Sequence, residues 1–284
     1  MHMRKTNMRW WAKLLILLPT VVLVQRGVVT LGGMFAGLAT SESGAPVPLQ
    51  QYPMALLAAA ACSLLLVAVL FCAYADRQPL SALGLHLAGF KKHGLMGLMA
   101  AITLLSATLS VIEMMYSTHF EIGTAAGSDV VSWLMVMLLV AVCEEVFFRG
   151  YIQRNLQHSL PGWLALVISS ALFALMHADN PGQHWLALPG IFIGGLLLGI
   201  NYLYTGNLWF GIGLHVGWNA LLGPVLGMQV SGIQPAAIIH TQLKGPAWLT
   251  GGSFGLEGSV VYMALSLALL AWLWRSFASV ERYS

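Results

Sequence analysis

The chain has 284 residues, of which 58% are hydrophobic and only 8% charged, with a formal net charge of +3. Soluble domains carry about a quarter charged residues, so a soluble composition is excluded and an integral membrane protein is indicated. The basic residues are spread over several short segments, which reads as a membrane-topology signal and excludes a nucleic-acid footprint.

Apolar runs near the roughly 20 residues needed to cross a hydrocarbon core predict eight helical spans. The first, 13–36, is interrupted by Gln25 and Arg26 and is glycine-rich in its second half, which predicts a tilted or broken helix. Basic residues precede it as in a signal peptide, but no small-residue cleavage site follows, so it is read as a retained span. The second span, 54–75, leads into a connector, 76–93, that lies partly on the membrane surface. Spans at 94–116, 130–148, 162–178, 185–204 and 207–225 follow. A connection over 226–257, rich in glycine and proline, reads as irregular, and the last span covers 258–276. The fold class is an all-α polytopic transmembrane bundle. It divides into N-terminal helices (1–129), a core (130–223), and an outer connection with the last helix (224–284). Cys62, Cys72 and Cys143 fall in apolar spans without metal-type spacing and are read as packing residues. The sequence contains no Gly-rich phosphate loop, fixed-period repeat or low-complexity tract.

With both termini cytoplasmic, the inner segments hold Arg4, Lys5, Arg9, Lys13, Arg77, Lys91, Lys92, Arg149, Arg154, Arg275 and Arg282, leaving Arg26 and Lys244 outside. This asymmetry fits an even number of spans and sets their direction. It places the chain in a membrane whose inner face is cytoplasmic, and the expectation is a bacterial inner membrane.

Ionisable groups inside spans are costly and face a bundle interior or a watery cavity, so each is a functional candidate. Three patterns stand out: Glu144-Glu145-x-x-x-Arg149 in the fourth span, Phe173-x-x-x-His177 ending the fifth, and His215-x-x-x-Asn219 in the seventh. Glu145 and Arg149 are four apart, on one helix face, and can pair as an acid N-terminal to its base. Glu144 lies about 100° round the helix from Glu145, which leaves it free for chemistry. A purely structural ion network suits Glu145 and Arg149 but leaves Glu144 without a basic partner. Spans four and five read as an antiparallel hairpin turning at Leu160-Pro161-Gly162. With the turn midpoint taken at about 160.5, Glu144 and His177 are equidistant from it, so they share one height, roughly 25 Å away at about 1.5 Å per residue, and can share a water. His119, His158, His184 and His240 read as structural histidines. His215 differs because Asn219 accompanies it on a glycine-rich helix whose Gly211, Gly213 and Gly217 admit close neighbours.

Together the segments EEVFFR (144–149), FALMH (173–177) and HVGWN (215–219) resemble the CPBP family, the intramembrane peptidases grouped with CAAX prenyl proteases and bacteriocin-processing enzymes. The resemblance covers about residues 130–223. It implies an intramembrane endopeptidase in which Glu144 activates a water that His177 helps to hold, while His215 and Asn219 stabilise the oxyanion and Glu145 and Arg149 support the site. Members are described both as metalloproteases and as glutamate-dependent hydrolases. One divalent metal such as zinc, on Glu144, His177 and His215, therefore stands as the alternative to a cofactor-free site; the pairing of Asn219 with His215 favours the latter.

The partners expected are the lipid bilayer and a peptide or membrane-anchored protein substrate. Prenyl-cysteine substrates are admitted by the resemblance, not by any feature of the residues. Two other readings remain at this level. A non-enzymatic immunity or scaffold protein of the same fold would have no use for the cost of Glu144. A small transporter would show paired inverted repeats with broken helices, and none is evident.

Overall fold

The computed structural model describes residues 9–35 and 54–281. The topology charges Arg4, Lys5 and Arg282 lie outside the described residues. Each of the eight expected spans corresponds to a helix. They are α1 (Trp10–Phe35), α2 (Met54–Leu70), α3 (Phe90–Met115), α4 (Gly127–Glu145) running on into the single turn α5 (Arg154–Gln157), α6 (Gly162–Met176), α7 (Ala187–Thr205), α8 (Trp209–Ala220) and, after a further single turn α9 (Ala247–Thr250), α10 (Val260–Glu281). Six of these segments are long and apolar enough to cross a membrane unaided, whereas α6 and α8 are shorter. α1 is continuous through Pro19, Gln25 and Arg26, so of the tilted or broken helix expected there the break is absent. At its start Lys13 Nζ lies 2.6 Å from Asp76 Oδ1 and donates to Asn155 Oδ1 at 3.1 Å, while Asn155 Nδ2 donates to Asp76 Oδ2 at 3.2 Å. That network ties α1 to the end of α2 and to α5.

Three helices widen into π-turns: Phe71–Ala75 after α2, Val146–Gln153 between α4 and α5, and Leu221–Val225 after α8. The last contains Pro224, which has no N–H to give to an α-helical ladder. Such turns concentrate at functional sites, and two of the three here directly follow the Glu144-Glu145 and His215/Asn219 motifs.

A two-stranded antiparallel sheet is the main departure from the expected all-helical plan. β1 (Thr118–Ile122) pairs with β2 (Ile239–Leu243) in a register running from Thr118 opposite Leu243 to Ile122 opposite Ile239. β2 lies in the connection read as irregular, and its partner is remote in sequence, so no local pattern announces either strand. The connection adds a 3₁₀ turn at Leu256–Gly258 and folds back onto the bundle. Among the cysteines, Cys72 and Cys143 are buried as expected, but Cys62 faces outward. Arg149 is fully buried and paired, so it is a bundle residue and drops out of the topology tally.

α8 sits at the centre, packed against α3, α4 and α7. Its contact with α3 is a backbone-to-backbone crossing. A Cβ on Gly97 would run into the Phe210 carbonyl oxygen and lie 2.7 Å from Leu214 N, and one on Gly213 would strike the Gly94 carbonyl. Without a hydrophobic force between helices in lipid, such small-residue contacts provide much of the association. Gly97→Val and Gly213→Val are each expected to cost at least the ~1–3 kcal/mol typical of overpacking. Thermal unfolding in detergent would register this as a lowered Tm, while Gly27→Ala, which meets open space, leaves the Tm unchanged. Equal Tm values for all three variants would contradict this account of the crossing.

Candidate active site

The site begins with one carboxylate oxygen. Glu145 Oε1 accepts from Arg149 Nη1 at 2.9 Å and from His215 Nδ1 at 3.1 Å. Both Glu145 and Arg149 are fully buried. The i,i+4 pairing read from the sequence is thus present, and it has a second function the spacing does not reveal, which is to hold His215 of α8. Arg149 Nη2 also donates to the Gly195 carbonyl of α7 at 2.9 Å. Gln153 Nε2 to Gly199 O (3.1 Å) and Gln157 Nε2 to Leu203 O (3.4 Å) repeat that contact at four-residue steps. The resulting ladder locks α7 beside the helix that carries the glutamates. Removing one partner of a buried, hydrogen-bonded ion pair typically costs 3–5 kcal/mol, because the other charge is stranded.

Phe173 joins the remaining pieces. Its carbonyl oxygen accepts from His177 Nδ1 at 2.8 Å. Its ring lies 4.5 Å from the Arg149 guanidinium carbon, with centroids 4.7 Å from the His177 ring and 6.0 Å from the His215 ring. An aromatic residue four positions before His177 therefore orients the imidazole through its backbone and walls the site with its ring. A carbonyl only accepts, so His177 carries its proton on Nδ1 and leaves the Nε2 lone pair for other contacts. His215 likewise donates from Nδ1 to the carboxylate of Glu145, and its Nε2 lies 3.8 Å from Glu144 Oε2. That separation exceeds a direct hydrogen bond. Glu144 Oε2 has no hydrogen-bond partner, as the absence of a basic partner in its span anticipates.

Glu144, His177, His215 and Asn219 all line one cavity of ≈ 720 Å³. Glu144 and His177, expected at one height, both line this cavity, and the turn between α5 and α6 lies at residues 158–161. Glu145 and Arg149 stand behind this wall and are not among its lining residues. Gly211 completes the fit: a Cβ there would sit 2.7 Å from Glu145 Oε2 and 2.8 Å from the Leu198 carbonyl, displacing the group that holds His215. His184 is occupied by backbone: its Nε2 donates to Gly251 O at 3.1 Å and its Nδ1 accepts from Leu186 N at 3.4 Å. This is the structural role read for it.

Among the described residues, no three His, Cys, Asp or Glu side chains converge into a group that could hold a metal ion. Glu144, His177 and His215 share the cavity without forming a coordination set.

Several lining groups escaped the sequence motifs. The connection between α8 and α10 contributes Val230, Ser231, Ile233 and Glu257, and α1 contributes Gln25. Glu257 is buried in the 3₁₀ turn, where its Oε1 accepts from Trp218 Nε1 at 3.1 Å, from Ser231 N at 3.3 Å and from Ser231 Oγ at 3.5 Å. Burial pushes its carboxyl up to about 7, against the opposing pull of these hydrogen bonds. An acidic residue beside the last apolar run was the one available signal, and nothing in its local sequence shows that the chain folds it back to the site.

Comparison with known proteins agrees with the motifs. A search among curated proteins returns no match. Residues 126–221, which contain all three motifs, match the family model described as type II CAAX prenyl endopeptidase Rce1-like, in agreement with the CPBP resemblance of the motifs.

Proposed function

We propose that the chain is an intramembrane endopeptidase that hydrolyses peptide bonds of membrane-associated proteins or peptides with a glutamate-activated water. The family match supports a membrane endopeptidase in general. The observation that carries the finer reading is the pairing of an unpartnered Glu144 carboxylate with two oriented imidazoles and Asn219 on one cavity wall.

In this mechanism the Glu144 carboxylate takes a proton from a water that His177 Nε2 helps to hold, and the hydroxide adds to the substrate carbonyl carbon. The carbonyl oxygen becomes an oxyanion that accepts hydrogen bonds from His215 Nε2 and the Asn219 amide. To donate there while also donating to Glu145, His215 must carry protons on both nitrogens. In that form the two glutamates, Arg149 and His215 sum to zero charge, so the buried cluster tolerates the imidazolium. The C–N bond then breaks as Glu144 returns its proton to the leaving nitrogen, giving an amine and a carboxylic acid. The cavity's apolar side chains lower the local dielectric and strengthen each of these interactions.

Glu144→Gln removes the base and keeps the shape, so it is expected to lower cleavage at least ~100-fold with an unchanged Tm. New peptide termini, quantified by proteomics in membranes of cells lacking the protein, would appear on complementation with wild type and not with Glu144→Gln. Identical profiles at equal expression would favour the non-enzymatic alternative. Asn219→Ala is expected to reduce kcat by roughly 100- to 1000-fold, the usual loss of one oxyanion donor, with little change in KM. A change confined to KM in purified enzyme would remove Asn219 from that role.

A further inference from the structure

Glu257 lies outside the segment matched by the family model, and none of the steps above uses it. It is buried to 3% exposure, lines the same cavity as Glu144 and Asn219, and its Oε2 has no hydrogen-bond partner. Its Oε1 is anchored on Trp218, which stands on α8 between His215 and Asn219 in sequence, and the Trp218 ring packs on Tyr262 with centroids 4.8 Å apart. Both aromatic residues also line the cavity. An anchored carboxylate with one oxygen unspent, beside two electron-rich rings, is the arrangement that binds an organic cation.

The charge around the cavity has the same sense. Glu144, Asp179 and Glu257 line it, and among the described residues no Lys or Arg does. His177 and His215 are the basic groups present, and each already spends Nδ1 within the bundle. Arg149, the nearest guanidinium in the motif set, is turned to Glu145 and Gly195. Apolar side chains of α2, α4 and α7 form much of the remaining wall, which suits an aliphatic stem leading to a charged tip.

We infer that Glu257, with Trp218 and Tyr262, forms a specificity subsite that receives a basic side chain, lysine or arginine, of the bound peptide. The inference rests on the endopeptidase reading for its biological meaning, but the subsite is a binding property and can be measured without turnover. Burial raises the Glu257 carboxyl, which disfavours its charged form while the site is empty. A bound ammonium or guanidinium would supply the counter-charge and satisfy Oε2.

The test uses the full-length Glu144→Gln protein in nanodiscs and two acetylated, amidated peptides, Leu-Lys-Leu and its norleucine counterpart Leu-Nle-Leu, with affinity read by thermophoresis. The lysine peptide is expected to bind roughly ten-fold tighter, the worth of one charge-assisted hydrogen bond. Glu257→Gln in the same background, which keeps an acceptor for Trp218, should abolish the preference. Glu257→Asp, which withdraws the charge by one methylene, should reduce it. No preference with Glu257 intact, a preference that survives in Glu257→Gln, or one that is undiminished in Glu257→Asp would overturn the subsite. Loss of the peptidase reading would show separately, as absence of cleavage by wild type in the proteomic comparison while the lysine preference persists.

Discussion

Glu145 Oε1 is the point on which the rest of the site depends. One oxygen accepts from Arg149 on its own helix and from His215 on α8, so a single buried anion fixes the height and rotation of two helices. It also determines which nitrogen of His215 faces the cavity. Arg149 spreads the constraint to α7 through the Gly195 carbonyl and to α6 through the face of Phe173. Four helices are thereby referred to one ion pair. A buried pair of this kind adds little net stability over an apolar equivalent. Its value here is positional, because a direct hydrogen bond has a length and an angle whereas apolar packing tolerates sliding.

The two adjacent glutamates illustrate how environment divides identical chemistry. Glu145 is fully buried and spends its charge on two donors, whereas the Glu144 side chain, one residue earlier, keeps 15% of its surface and faces the cavity. The helix separates them by about 100°, which is enough to send one into the bundle and the other toward the space where substrate would lie. The absence of a side chain at Gly211 on α8 leaves room for the Glu145 carboxylate.

The connection between α8 and α10 has a larger part in the site than its glycine-rich sequence conveys. It pairs a strand with the linker between α3 and α4, and it places Ser231 and Glu257 against Trp218. The cavity is consequently lined by residues from both ends of the chain, with Gln25 of α1 as well as Tyr262 of α10. In the proposed reaction the three motifs would supply the reacting groups, and the surrounding elements the shape and charge that a substrate would meet.

The membrane class, the approximate spans and the identity of the motif residues were legible in the sequence because each depends on local spacing. Apolar length marks a helix, and a four-residue interval puts Glu145 and Arg149 on one face. Other features required the tertiary structure because they join residues far apart in the chain. The bond from His215 to Glu145, the pairing of β1 with β2, and the placement of Glu257 under Trp218 each link segments dozens to more than a hundred residues apart. Periodicity reports which face of a helix is polar. Which neighbour that face meets is decided by how the helices cross, and here the crossing is set by glycine contacts and one buried ion pair.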